Sequence, residues 1–164
     1  MLTRRTFLVA TAAALGAGPA LAKPLDLDWD DLVPDGDSGK LLKDLRGVVQ
    51  HGQLTTGFDQ EAARAVTEEF NGQTVRLPGF VVPLDFSATG VTTFILAPFV
   101  GACIHVPPPP ANQLVMVTSQ KPYELSGLYD PVEVTGTFGT TATSTELAEV
   151  GYTLQASRIR PYKD

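Results

Sequence analysis

Gln73-Thr74-Val75-Arg76-Leu77-Pro78-Gly79-Phe80-Val81-Val82-Pro83-Leu84 is the stretch on which the fold is decided. Here the hydrophobic pattern takes a period of two, that of an extended chain whose successive side chains point to opposite faces. Residues 74–84 read as a strand kinked at Pro78-Gly79. Downstream, further strands are predicted over 91–97, 103–106, 113–119, 131–138 and 152–159, with one helical turn over 145–149. Short strands broken by glycine and proline predict a mainly β fold, a small closed or partly open barrel. The expected form is an OB-like Greek-key barrel.

Upstream of the strands the period changes. Residues 59–70 read as a helix, with Asp59 as N-cap, Glu61 in the first turn, and Ala62, Ala65, Val66 and Phe70 near helical spacing. Asn71-Gly72 is placed to end it. A shorter helical turn is expected over 41–46, followed by His51-Gly52. Residues 23–39 hold six aspartates with Pro24, Pro34 and Gly36 between them, which predicts an extended acidic arm anchored by Leu25, Leu27, Trp29, Leu32 and Val33. The aspartates lack the glycine and terminal glutamate of a calcium loop. The expected organisation is a signal over 1–22, an acidic arm over 23–58, and a helix plus barrel over 59–164.

The first segment is an address. Thr3-Arg4-Arg5-Thr6-Phe7-Leu8 sets paired arginines before an uncharged run over 8–21, and Ala20-Leu21-Ala22 offers the small residues that a signal peptidase reads. The pattern resembles a twin-arginine export signal, so a soluble periplasmic protein cleaved after Ala22 is expected, without membrane insertion once the signal is removed. That route carries chains that have already folded.

With 164 residues the chain suits one domain, and 43% apolar against 18% charged residues suits a packed core rather than disorder. Losing Arg4 and Arg5 takes the formal charge from −6 to −8, which argues against nucleic acid and anionic lipid as partners. Cys103 is the single cysteine, so no intrachain disulfide forms and core packing must hold the fold.

The densest run of unusual residues is Gly101-Ala102-Cys103-Ile104-His105-Val106-Pro107-Pro108-Pro109-Pro110-Ala111-Asn112-Gln113. On an extended segment Cys103 and His105 share a face with Cβ atoms roughly 7 Å apart, within reach of one ion. Pro107, Pro108 and Pro109 make a stiff wall beside them, and Asn112 and Gln113 add polar groups where the chain re-enters the sheet. Three chemistries compete. Cys103 and His105 are zinc or copper ligands joined by His51, Met116, Asp85 or Glu124; Cys103 is a thiolate nucleophile with a histidine base; or both are structural. Trp29 and the four tyrosines read as packing residues, while Arg76, Arg158 and Arg160 read as partners of carboxylates. Glycine-rich phosphate loops, G-x-S-x-G and paired-carboxylate motifs are lacking.

Several runs together resemble the DUF3299 family of bacterial proteins of unknown function. They are residues 75–84, Phe94-Ile95-Leu96-Ala97-Pro98, the intact Cys-x-His-x-Pro-Pro-Pro run, Pro131-Val132-Glu133-Val134-Thr135-Gly136 and Gly151-Tyr152. The likeness runs from about Gly72 onward. It implies an exported accessory protein, some relatives accompanying ABC-type transporters including those for metals, and it supplies no established activity. This chain lacks the lipobox cysteine of lipid-anchored members. The leading expectation is thus a non-enzymatic periplasmic protein binding zinc, copper or a small ligand at Cys103 and His105 and assisting a membrane transporter. A structural adaptor docking on a membrane partner comes second, a thiol-dependent enzyme third.

Overall fold

The computed structural model describes residues 23–34, 64–85, 89–99 and 109–162. In chain order its strands are β1 (Leu25–Asp26), β2 (Thr74–Pro83), β3 (Val91–Ala97), β4 (Val115–Tyr123), β5 (Pro131–Gly139), β6 (Thr143–Ser144), β7 (Glu149–Val150) and β8 (Tyr152–Pro161). A 3-10 turn, Ala111–Gln113, precedes β4. Five strands close on themselves in the order β2-β3-β4-β8-β5, with β5 returning to β2. Every seam is antiparallel except β4 against β8.

The kink expected at Pro78-Gly79 is where β2 changes partner. Its first part pairs with β5, from Thr74 opposite Thr137 to Phe80 opposite Pro131. Its last part pairs with β3, from Phe80 opposite Ala97 to Pro83 opposite Phe94. Beyond Ala97 the β3 side of β2 is free for β1, which runs parallel to it beside Val75 and Arg76. Pro78 lacks a ladder donor, and its carbonyl on that side accepts from Trp29 Nε1 at 2.8 Å. Gly79 lets the indole approach, because a Cβ there would sit 2.9 Å from Trp29 Cζ2 and 2.8 Å from Leu96 Cγ.

Inward side chains fill the barrel: Val75, Leu77 and Val81 from β2, Phe94 and Leu96 from β3, Val115 and Val117 from β4, with Val134, Phe138, Tyr152 and Leu154 opposite. Each contributes on the order of 1.5–3 kcal/mol by leaving water. Leu27, Trp29, Leu32 and Phe70 join this core from outside the barrel strands. A second apolar cluster lies outside the barrel wall, where Val82, Ile95 and Met116 are neighbours in register. So β3 is buried on both faces, which explains its unbroken run Phe94-Ile95-Leu96-Ala97.

Three expectations need correction. Of the predicted helix over 59–70, residues 59–63 lie outside the described residues and Arg64 is helical, but the expected continuation fails: residues 65–68 are irregular and 69–72 form a turn. Tertiary bonds take the backbone groups that helix would have used: Ala65 C=O accepts from Asn112 Nδ2, and Thr67 N–H donates to the Tyr152 hydroxyl. Gly72 takes the left-handed conformation, at φ 77°, within that turn. The helical turn predicted over 145–149 is instead the tip of the β6–β7 hairpin, where Thr145 N–H donates to Ala148 C=O at 3.0 Å. The strand predicted from Gln113 begins at Val115, since Gln113 belongs to the 3-10 turn.

The strand predicted over 103–106 and the turn over 41–46 lie outside the described residues, as does most of the arm. Among the described residues, no helix is long and apolar enough to cross a membrane.

Candidate ligand site

The barrel end where β3 and β5 finish and β4 and β8 begin gathers chain from four places. Segments 27–34, 64–72, 109–114 and 140–151 meet there, tied by buried polar groups. Gln113 Nε2 donates to Trp29 C=O at 3.0 Å and to Asn112 C=O at 3.1 Å. Asn112 Nδ2 donates to Ala65 C=O at 3.0 Å. The Tyr152 hydroxyl donates to Leu32 C=O at 2.6 Å and accepts from Thr67 N–H at 2.9 Å. Burial pushes the Tyr152 phenol up to about 12, with the Thr67 hydrogen bond pulling the other way. These groups are neutral, so none brings a buried charge.

Beside this knot lies an open cavity of about 400 Å³, lined by Arg64, Ala111, Thr143, Ser144, Glu149 and Gly151 among others. Gly151 N–H donates to Ala111 C=O at 2.7 Å. A Cβ at Gly151 would meet that same oxygen at 2.7 Å, so glycine is what permits this approach. At the rim the Arg64 guanidinium grips Glu149 with two bonds, Nε to Oε2 at 3.0 Å and Nη2 to Oε1 at 3.1 Å. Neither residue carries a sequence signal, being an ordinary Arg and Glu 85 positions apart.

Of the residues singled out from the sequence, Cys103, His105, His51, Pro107 and Pro108 lie outside the described residues. Pro109 is buried. Asn112 and Gln113 are buried too, and their amides hold the backbone of Ala65 and Trp29. Met116 is half-buried in the outer apolar cluster. Asp85 sits past the end of β2, accepting from Thr92 N–H, Thr92 Oγ1 and Thr93 N–H at 2.6–3.1 Å. The Thr92 hydroxyl holds its carboxyl below the usual range, with further help from both backbone donors against burial. Glu124 is exposed just beyond Tyr123, which pairs with Val91. Asp85 and Glu124 thus stand at the start of β3, and Phe99 and Pro109, which flank 100–108, follow its far end. From Val91 to Ala97 the strand spans about 20 Å. Among the described residues no three His, Cys, Asp or Glu side chains are grouped for a metal.

A closed five-stranded barrel with one end knotted by distant loops defines a small β-barrel protein. The chain belongs to DUF3299, a family of proteins of unknown function, and matches it over residues 29–161. The match reaches further back than Gly72, to the Trp29 that β2 receives. A crystal structure of a DUF3299 family protein from Pseudomonas aeruginosa PAO1 is similar at 35% identity, over 87% of this chain and 98% of that one, with a TM-score of 0.67. No curated protein matches.

Proposed function

We propose that this chain is an exported, non-enzymatic periplasmic protein that binds a transition metal, zinc or copper, or another small ligand through Cys103 and His105, and assists a membrane transporter. The signal over 1–22 supports export by the twin-arginine route, with cleavage after Ala22. Neighbour order β2-β3-β4-β8-β5 with one parallel seam supports an OB-like Greek-key barrel. The observation that carries the binding reading is how firmly the chain is held after the Cys-x-His pair: Pro109 and Pro110 are buried, and Asn112 and Gln113 are bonded to separate segments. A rigid mount of this kind suits a ligand site, since loosely held donors bind weakly. Thiolate and imidazole are donors that zinc and copper accept, and His51 is the one further histidine.

Elemental analysis of periplasmically matured, metal-loaded protein tests this. Stoichiometric zinc or copper, lost in the Cys103→Ser, His105→Ala double variant, is the expected result. Absence of metal, with capture of a membrane partner surviving both changes, overturns it in favour of an adaptor. Selective alkylation of Cys103 at neutral pH would instead mark a thiol enzyme.

A further inference from the structure

We infer that the cavity between the β6–β7 hairpin and the 3-10 turn binds a small zwitterion of the α-amino acid class. This goes beyond the Cys103–His105 reading and uses neither residue. Its volume of about 400 Å³ falls in the range of small-molecule sites. Ala111, Val150 and Gly151 give a floor of small apolar groups, Ala142 stands as an exposed wall, and polar side chains of Arg64, Thr143, Ser144 and Glu149 complete the lining. The floor is fixed in advance, because the Gly151–Ala111 hydrogen bond and the buried Val150 hold it to the barrel.

The ligand class follows from the rim. Arg64 and Glu149 are 63% and 53% exposed, so their mutual ion pair is worth little and separates easily. A guanidinium fork matches a carboxylate, and a carboxylate matches an ammonium. A zwitterion entering between them replaces one ion pair by two, its carboxylate on Arg64 and its ammonium on Glu149. A simple anion would satisfy Arg64 only and would meet the field of a chain of formal charge −6. A simple cation would leave Arg64 without its carboxylate. The small apolar floor then takes a short aliphatic side chain.

The test is NMR titration of the full mature chain with L-alanine, propionate and ethylammonium. Saturable shifts at Arg64, Glu149 and Gly151 are expected with L-alanine, the two half-ligands binding at least about tenfold more weakly. Arg64→Ala and Glu149→Ala should each weaken L-alanine roughly tenfold or more. Ala142→Trp, at an exposed wall position, should abolish binding while leaving the thermal midpoint and the metal content unchanged. No saturable shift, equal binding of propionate, or binding that survives both Ala142→Trp and Arg64→Ala would overturn the inference. Metal content in the same samples reports separately on Cys103 and His105.

Discussion

The side-chain amide of Gln113 donates to the backbone carbonyl of Trp29 across 84 positions of sequence, at 3.0 Å and out of contact with water. The bond fixes the start of β4 to the segment that fills the gap beside β2. Gln113→Leu removes the donor and leaves a buried carbonyl unmatched, a loss of about 1–3 kcal/mol. Trp29 is the single tryptophan, so its fluorescence in a denaturant titration reads the change directly. An unmoved midpoint would show that this bond contributes nothing net.

Tyr152→Phe should destabilise by roughly 2–3 kcal/mol, because it strips partners from both Leu32 C=O and Thr67 N–H. It should also flatten the alkaline arm of stability. Tyr152 ionises near 12 when folded and near 10 when unfolded. A raised folded value means stability that is complete below pH 10 and drains away as pH rises toward 12. Unfolding midpoints measured across that window should fall more steeply for the native chain than for Tyr152→Phe.

Asp85 gives the opposite sign. Its carboxyl is held below the ordinary 3.8, chiefly by Thr92 Oγ1. The stability it supplies is therefore present above pH 3.8 and lost as pH falls through the folded value. Asp85→Asn should reduce stability by about 1–2 kcal/mol at neutral pH. The gap between variant and native chain should narrow on acidification below pH 4, as thermal melts at stepped pH would report.

Gly79→Ala sets a methyl 2.9 Å from Trp29 Cζ2 and from the carbonyl oxygen of Ala97. Overpacking at that point should cost about 1–3 kcal/mol and displace the indole. A red-shifted tryptophan emission in the folded variant is the expected sign, whereas an unshifted spectrum with native stability would refute it.

Most of the barrel is legible in the sequence because its strands carry their own period and punctuation. Val91–Ala97 falls where expected, and Pro131–Gly139 and Tyr152–Pro161 run only one and two residues longer than predicted. What escapes is whatever distant partners decide. Val66 and Phe70 repeat at helical spacing, but they pack on a barrel end while Asn112 and Tyr152 take the neighbouring backbone groups. β1 is two residues long and exists because β3 leaves the edge of β2 open. In the candidate site, Asn112 and Gln113 stand out as polar residues between prolines and a strand, yet nothing local names Ala65 and Trp29 as what they hold. Arg64 and Glu149 meet only through the fold.

β8 is the last of the five barrel strands in chain order, yet it supplies two of the five seams, to β4 on one side and β5 on the other. A nascent chain halted before Tyr152 would expose two raw strand edges to chaperones and to other chains. Closure of the barrel thus waits on β8, Tyr152–Pro161.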